Sequence, residues 1–318
     1  MKDKADNKMK PLIVITGPTA TGKSEVGVLV AEQVGGEIIS ADSMLLYRHM
    51  DIGTAKPNMV ERHGIPHHMI DIAEPDQEYS AALYQKEARH LITEISIRRN
   101  LPILVGGTGL YIRAVIDPYE FGDTGSEPAI RERLLLEAEQ DGYDKLHRRL
   151  FEVDPEAAAK LHPRDARRVI RALEVYYMTG RPSSSYTQLN QYHQPLYRLF
   201  MFGLNMERAS LYRRIEKRVD AMIAAGLVEE VHQLLESGYS RDLNAMRSLG
   251  YKEIAAYLTG EISMEQAVEL LKRNTRRFAK RQLTWFRRDD RIRWLDIDDF
   301  GSQEAIAKEI TKSLEGVF

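Results

Sequence analysis

The sequence predicts an α/β fold with a P-loop NTPase-like parallel sheet core and an all-helical insertion domain. Three observations predict it. The chain opens with an apolar run, a glycine-rich loop and a helical pattern at residues 12–33. Continuous apolar runs recur at 36–42 and 101–105, and such runs are typical of parallel strands covered on both faces. Between residues 118 and 197 these runs disappear, and helix-start signals replace them.

The first predicted strand, residues 12–16, leads directly into a phosphate-binding motif. The motif reads GPTATGKS and has the spacing G-x-x-x-x-G-K-S. Its backbone N–H groups and the N-terminus of the following helix would line one concavity that suits a diphosphate. The residues predicted to bind diphosphate are Gly17, Pro18, Thr19, Ala20, Thr21, Gly22, Lys23 and Ser24.

Two side chains of this loop would add to the backbone cradle. Lys23 would supply charge to the phosphate oxygens, and the hydroxyl of Ser24 would bind Mg²⁺, the predicted cofactor. A glycine turn without function is the alternative, and the flanking strand and helix argue against it. The loop alone leaves open whether the phosphate chain is extended, hydrolysed or expelled.

The second predicted strand, residues 36–42, ends in the carboxylate of Asp42. In an open α/β sheet, ligands bind at the carboxyl ends of the strands, and the phosphate loop lies at such an end. We therefore expect Asp42 near the bound phosphate. From the residues alone, this side chain could be a Mg²⁺ ligand, a general base or a cap for the next segment.

The remaining core elements follow from periodicity and capping residues. A helix is predicted over residues 80–98, with Ser80 as its N-cap. The strand at 101–105 runs into a second glycine-rich turn, GGTGLY, at residues 106–111. The later predictions are a strand at 198–204, a helix from Glu207, a helix at 263–288 with Ser263 and Gln266 in a capping box, a strand at 291–297 and a helix at 303–314.

Helix signals dominate the middle of the chain. The segments SEP at 126–128 and DPE at 154–156 combine a capping residue with an early proline, which is typical of helix starts. The segment TGRP at 179–182 is typical of a helix end. The predicted domains are a catalytic core of residues 1–117 and 198–318 and a helical insertion of residues 118–197.

Composition excludes several classes of function. The chain has no cysteine, which excludes disulfides, thiolate nucleophiles and cysteine-based zinc sites. No apolar run approaches the roughly 18 residues that span a bilayer, and residues 1–10 are charged, so we expect a cytoplasmic protein. His67 and His68 lack a third ligand at metal spacing, so we expect a structural role for them. The absence of a Gly-x-Ser-x-Gly motif argues against a serine hydrolase.

Basic residues are clustered, although the net charge is only −2 and gives no overall attraction for nucleic acid. One predicted helix has a face that carries no interleaved acid and is formed by Arg164, Arg167, Arg168 and Arg171. A solvated face is the ordinary alternative, but like charges at this spacing repel, and an anionic partner would offset the repulsion. The second cluster contains Lys272, Arg273, Arg276, Arg277, Lys280, Arg281, Arg287 and Arg288. Together the clusters indicate a bound phosphate-rich polymer.

Motifs along residues 11–290 extend this interpretation to a family. They are GPTATGKS, ADSMLLYRHMDIGTAKP, IPHHMIDI, ILVGGTGLY, HPRDARRVIRALEVYYMTG, RSLGYKEI and RRFAKRQLTWFRR. In this order they resemble the bacterial-type tRNA dimethylallyltransferases. The resemblance implies a P-loop core with a helical insertion. It also implies transfer of a dimethylallyl group from dimethylallyl diphosphate to the N6 amine of adenosine 37, beside the tRNA anticodon, with release of diphosphate.

The resemblance also implies roles for residues. Asp42 would accept the amine proton, while Thr108 and Arg214, the other catalytic residues, would hold the diphosphate. Leu45 stands where the family usually has Gln, so Asp42 and Ser43 are the stronger candidates to face the base. The implied contacts to the tRNA anticodon stem-loop are Asp42, Ser43, Met44, Leu45, Thr108, Arg131, Arg167, Arg168, Arg171, Arg247, Gly250, Tyr251, Lys252, Arg276, Arg277, Lys280, Arg281 and Gln282.

The implied partners are tRNA and dimethylallyl diphosphate, and we expect a monomer. An adenylate isopentenyltransferase acting on free AMP, ADP or ATP is the nearest alternative, but a free nucleotide would not need the arginine face of the insertion. A P-loop small-molecule kinase is a second alternative. A nucleic-acid-binding module without catalysis would leave the phosphate loop and Asp42 without a purpose.

Overall fold

The computed structural model describes residues 9–119, 121, 125, 127–189 and 196–316. By its internal contacts the chain divides into two compact units, Met1–Ile116 with Leu196–Phe318, and Asp117–Pro195. The first unit is α/β, and every described element of the second is a helix. Within the described residues, no helix has the length and apolar character needed to cross a membrane.

The first unit is built on a parallel sheet of six strands, which confirms the predicted fold class. The strands are β1 Pro11–Thr16, β2 Gly36–Ser40, β3 His67–His68, β4 Leu101–Gly106, β5 Arg198–Asn205 and β6 Ile292–Asp296. Their order across the sheet is β3-β2-β4-β1-β5-β6. The carboxyl ends of β1, β4 and β2 are therefore neighbours at one edge, where the ligands of such sheets bind.

Helices cover both faces of this sheet. In the first unit they are α1 Lys23–Val34, α2 Ala81–Ile97, α3 Gly109–Ile116, α9 Arg208–Ala224, α10 Leu227–Glu236, α11 Tyr251–Leu258, α12 Met264–Phe286 and α13 Gln303–Lys312. The helices of the second unit are α4 Pro128–Asp141, α5 Tyr143–Val153, α6 Pro155–Lys160, α7 Ala166–Thr179 and α8 Ser183–Leu189. A short 3₁₀ helix, Ile297–Asp299, follows β6.

Local capping explains several of the predicted boundaries. Ser80 accepts a hydrogen bond from the backbone N–H of Leu83 and begins α2. Ser263 and Gln266 form the predicted capping box of α12. Gly180 ends α7 in the left-handed conformation. Helices α10 and α11 were not predicted, because the sequence analysis assigned no element to residues 225–262.

The central strand β1 supplies side chains to the cores on both faces of the sheet. Ile13 and Ile15 belong to one apolar cluster, and Leu12 and Val14 belong to the other. All four side chains are fully buried. Burying each such side chain contributes about 1.5–3 kcal/mol to folding. A strand that is apolar at every position is therefore what a sheet covered on both faces requires.

The second unit has its own small apolar core, which includes Leu134, Leu150 and Leu173. Asp154 caps α6, as predicted, by accepting from the backbone N–H of Ala157. Its carboxylate also accepts from the Ser183 hydroxyl at 2.8 Å, which ties α6 to α8. Ser126 of the predicted SEP start lies outside the described residues.

Candidate active site

Hydrogen bonds join the ends of β1, β2 and β4 and the loops that follow them at the carboxyl edge of the sheet. The Thr16 hydroxyl donates to the carbonyl of Gly106 at 3.0 Å, which links β1 to β4. The backbone N–H of Thr108 donates to the carbonyl of Ala41 at 3.0 Å, and the Thr108 hydroxyl accepts from the N–H of Ser43 at 3.1 Å. The phosphate loop, the Asp42 segment and the GGTG turn therefore form one continuous surface.

Asp42 lies directly beyond β2, and its two carboxylate oxygens differ in their hydrogen bonding. Oδ1 accepts from the backbone N–H of Met44 at 2.9 Å, which is the local capping contact considered from the sequence. Oδ2 has no hydrogen-bond partner among the residues that the structure describes. One oxygen therefore fixes the orientation of the carboxylate, and the other remains available to accept a proton.

Lys23 shares an electrostatic environment with Asp42. Its ammonium donates to the carbonyl of Pro18 at 3.3 Å. Burial lowers the pKa of Lys23 to about 8, against the opposing effect of the Asp42 carboxylate, and the Arg218 guanidinium lowers it further. The phosphate-loop lysine and the carboxylate beyond β2 are thus near enough to interact, as the topology predicts.

Arg218 is a site residue that the sequence analysis missed. It lies one turn beyond Arg214 on α9, partly buried, whereas Arg214 is exposed. Burial lowers the pKa of the Arg218 guanidinium, and the charge of Asp42 raises it. The signal in the sequence was the i,i+4 spacing from Arg214. That spacing puts both arginines on one face of the helix.

A stacked pair of tyrosines supports the Asp42 segment from within the core. The rings of Tyr84 and Tyr111 are 3.9 Å apart and nearly parallel, and both side chains are buried. The Tyr84 hydroxyl donates to the carbonyl of Ser40 at 2.8 Å. Burial, with smaller contributions from Tyr47 and Asp42, raises the pKa of Tyr111. The backbone that leads to Asp42 is therefore anchored to a buried pair of aromatic rings.

The residues near the phosphate loop fit Mg²⁺ only if the ligand supplies most of its oxygens. Ser24, the predicted metal ligand, is exposed in the first turn of α1. Its hydroxyl makes no hydrogen bond within the described part of the chain. No group of three or more His, Asp or Glu side chains that could hold a metal occurs there either. Because Mg²⁺ usually binds few protein ligands together with phosphate oxygens and water, one hydroxyl beside a diphosphate suits it.

The DIGTAKP and RSLGYKEI motifs meet at the carboxylate of Glu230 on α10. This carboxylate accepts from the backbone N–H groups of Asp51, Ile52 and Gly53, at 2.9, 2.7 and 3.0 Å. It also accepts from the Tyr251 hydroxyl at 2.6 Å. A Cβ atom on Gly53 would lie 2.4 Å from the Tyr251 ring, so only glycine allows this packing. The two motifs thus hold each other in place.

Two of the predicted tRNA contacts need correction at the level of side chains. Tyr251 is fully buried and bonded to Glu230, so its side chain anchors the 51–53 loop and offers no surface to RNA. Leu45 is only 9 % exposed, so it belongs to the apolar interior. An apolar side chain such as leucine suits this buried position.

Gln282 has a different environment from the one predicted. Its side chain is 6 % exposed and lies between the two glycine-rich loops. Oε1 accepts from the backbone N–H of Thr19, and Nε2 donates to the carbonyl of Gly107, both at 2.9 Å. Its basic neighbours on α12, Arg277, Lys280 and Arg281, are exposed.

The basic face of the insertion contains acids, contrary to the expectation from the sequence. Arg171 and Arg131 both pair with Glu174, at 2.6 and 2.8 Å, and that carboxylate is completely buried. Arg168 pairs with Asp165 at 2.6 Å but remains 72 % exposed. Arg131 and Arg171 therefore stabilise the unit, while Arg168 is available to a partner.

In the first unit, several of the predicted RNA contacts pair with acidic side chains. Arg247 pairs with Asp242 at 2.8 Å, and Arg276 pairs with Glu216 at 2.6 Å. Lys252 is exposed and lies 3.6 Å from Glu253, and Gly250 is a buried N-cap. Arg164 and Arg167 on the insertion are exposed as well. His67 and His68 pair with the Ile65 carbonyl and with Glu37, so they have structural partners.

The fold and this site define a class: a P-loop α/β protein whose phosphate loop faces a carboxylate at the carboxyl edge of the sheet. A family model described as IPP transferase matches residues 45–289, and one described as isopentenyl transferase matches residues 10–75. The chain belongs to the tRNA dimethylallyltransferase family, as the motifs predicted.

Individual relatives agree with this assignment over most or all of their length. The chain is 62 % identical to a tRNA dimethylallyltransferase of Pelotomaculum thermopropionicum, covering 98 % of this chain and 99 % of that one. It is similar to the crystal structure of a tRNA isopentenylpyrophosphate transferase from Staphylococcus epidermidis, with 42 % identity, coverage of 97 % and 100 %, and a TM-score of 0.72. It also resembles a eukaryotic dimethylallyltransferase whose structures describe its action on tRNA, with 30 % identity, coverage of 96 % and 80 %, and a TM-score of 0.79.

Proposed function

We propose that this protein transfers the dimethylallyl group of dimethylallyl diphosphate to the N6 amine of adenosine 37 in tRNA and releases diphosphate. The observation that carries the proposal is the position of Asp42 near the phosphate loop. Asp42 has an oriented carboxylate with one oxygen available, and its charge acts on Lys23. The names of the relatives support prenyl transfer to tRNA.

The proposed step is a single substitution at the transferred carbon. A carbon–nitrogen bond forms to the adenine amine, the carbon–oxygen bond to the diphosphate breaks, and its electron pair leaves with the diphosphate. Asp42 takes the proton that the amine loses. Lys23, Arg218 and the backbone N–H groups of the loop stabilise the charge on the leaving diphosphate.

Mg²⁺ is part of this proposal. Ser24 would hold it together with oxygens of the diphosphate, and the bound ion would neutralise part of the leaving group's charge. Thr108 acts through its position, because its hydroxyl and backbone N–H hold the Ser43 and Ala41 backbone beside Asp42.

The acceptor adenine must leave the stacked anticodon loop to reach Asp42, so the enzyme must hold the RNA around it. The exposed basic side chains Arg167, Arg168, Arg277, Lys280 and Arg281 are suited to RNA phosphates. A free nucleotide would not need so many exposed basic side chains, which favours tRNA over AMP. The proposal also includes action as a monomer in the cytoplasm.

The test uses purified protein, Mg²⁺ and dimethylallyl diphosphate labelled in the alkyl group. We expect label to enter tRNA at the adenosine beside the anticodon and not to enter AMP, ADP or ATP. Label in free nucleotides alone would identify an adenylate isopentenyltransferase. Transfer of the terminal phosphate of labelled ATP to a small molecule, with no alkyl transfer, would identify a kinase. A tRNA with guanosine at the acceptor position is the matched control and should stay unlabelled.

A further inference from the structure

The amide of Gln282 connects three elements that meet at the phosphate site. It lies on α12, accepts from the backbone N–H of Thr19 in the phosphate loop and donates to the carbonyl of Gly107 in the GGTG turn. The Gln282 side chain is 6 % exposed, so its amide bonds to these two backbone groups in place of water. Both hydrogen bonds are 2.9 Å long, so the contact is well formed at each end.

The GGTG turn is shaped to receive side chains from α12. A Cβ atom on Gly107 would lie 2.2 Å from Nε2 of Gln282, and one on Gly109 would lie 2.2 Å from Nε1 of Trp285. No side chain could occupy either position without displacing these groups. The turn therefore needs glycine at both positions because α12 packs directly on it.

The opposite face of α12 carries exposed basic residues next to Gln282 in the sequence. Arg277, Lys280 and Arg281 follow the spacing i, i+3, i+4, at which like charges repel along a helix. RNA phosphates beside these side chains would offset that repulsion and stabilise the helical conformation of the last turns of α12. The same turns carry the amide that contacts the phosphate loop.

We propose that Gln282 is a positioning residue that couples RNA binding on α12 to diphosphate binding in the phosphate loop. This proposal rests on the proposed function, since it takes α12 as an RNA contact. RNA on the exposed face stabilises α12, and Gln282 then holds the Thr19 and Gly107 backbones in the arrangement that receives the diphosphate. By linkage, bound diphosphate increases the affinity for RNA by the same factor.

The test compares Gln282→Met and Gln282→Glu with the native protein. Methionine has a similar volume and loses both hydrogen bonds. Glutamate keeps the acceptor for Thr19 but places an oxygen against the Gly107 carbonyl. Thr284→Ala is the matched control, because Thr284 is exposed on the same helix and its hydroxyl, among the described residues, donates only to the Lys280 carbonyl. Calorimetry measures the affinity for inorganic diphosphate with Mg²⁺, in the presence and absence of an anticodon stem-loop RNA.

In the native protein and in Thr284→Ala, RNA should tighten diphosphate binding by about fivefold or more. In Gln282→Met this enhancement should disappear, and the KM for dimethylallyl diphosphate at saturating RNA should rise by the same factor, about fivefold or more. The affinity for RNA without diphosphate should stay within about twofold of the native value. Gln282→Glu should behave in the same way, which supports the proposal even if the methionine variant does not fold.

Three results would overturn the coupling role. The native protein could show no effect of RNA on diphosphate affinity. The Gln282 variants could keep both the enhancement and the native KM. They could instead weaken RNA binding while the KM for dimethylallyl diphosphate stays native, which would make Gln282 a direct RNA contact. Failure of the proposed function is a separate outcome, because the native protein would then transfer no dimethylallyl group to tRNA.

Discussion

At the scale of single residues, Asp42 makes the local capping contact that the sequence left as one alternative. Its Oδ1 accepts from the N–H of Met44, and this local contact sets the direction of the carboxylate. A carboxylate held by its own backbone loses little rotamer freedom when substrate binds. The capping contact is therefore compatible with the proposed role of Asp42 as a base.

We predict that Asp42→Asn lowers kcat by about 10²- to 10⁴-fold, because the amide cannot accept the amine proton. Its carbonyl oxygen can still accept from Met44, so the loop should keep its conformation. The measurement is single-turnover transfer to tRNA at saturating substrates, with tRNA affinity determined in parallel. Native turnover with unchanged binding would remove Asp42 from the role of base.

A second prediction at this scale concerns Gly53. Gly53→Ala should destabilise the protein by about 1–3 kcal/mol, because the new Cβ would lie 2.4 Å from the buried Tyr251 ring. Gly301→Ala is the control, since nothing lies within 4 Å of a Cβ there. Urea denaturation of both variants tests this, and equal midpoints would contradict the packing argument.

At the scale of elements, helix α7 carries one arginine that stabilises the fold, Arg171, and another that is available to a partner, Arg168. Glu174 is completely buried, and hydrogen bonds from Arg171, the Glu127 backbone and Arg131 lower its pKa although burial opposes this. Removing a partner from a buried carboxylate is costly, whereas an exposed pair contributes about 0–1 kcal/mol. Arginines on one helix face can therefore have different functions.

This difference predicts opposite phenotypes for two neighbouring variants. Arg168→Ala should leave thermal stability nearly unchanged, weaken tRNA binding and reduce the slope of log affinity against log salt by about one. Arg171→Ala should lower the free energy of unfolding by about 1–3 kcal/mol, because Glu174 loses one of its charged partners. Thermal melts and salt titrations of both variants give the comparison. An unchanged slope for Arg168→Ala would mean that this side chain does not meet phosphate.

At the scale of the whole molecule, the buried carboxylate of Glu37 makes the free energy of unfolding depend on pH. Glu37 on β2 accepts from Arg98, Asn100 and His68, and so joins β2 to the end of α2 and to β3. Burial favours protonation, but these hydrogen bonds outweigh it and lower the pKa of Glu37 to about 2. Its stabilising effect is complete above the unfolded pKa of 4.5 and is lost as the pH falls toward 2.

We therefore predict that Glu37→Gln lowers the free energy of unfolding by about 2–3 kcal/mol at neutral pH. The difference from the native protein should shrink as the pH falls from 4.5 toward 2, because the native carboxylate becomes protonated. Urea denaturation at pH 7 and at lower pH measures the difference directly. Other carboxylates titrate in both proteins and cancel in the comparison. A difference that does not change with pH would contradict the assignment.

Sequence alone determined the strands β1, β2, β4, β5 and β6, the phosphate loop and the place of Asp42. These follow from local patterns: a motif of adjacent residues, apolar runs, capping residues and the rule that ligands bind at the carboxyl edge of a parallel sheet. Tertiary structure alone decided which of the candidate site residues are committed to the fold. It buried Tyr251 and Leu45, paired Arg131 with Glu174 and placed Arg218 near Asp42. Gln282 and Thr19 lie 263 positions apart, and only folding brings such groups into contact, so no local pattern could predict their hydrogen bond.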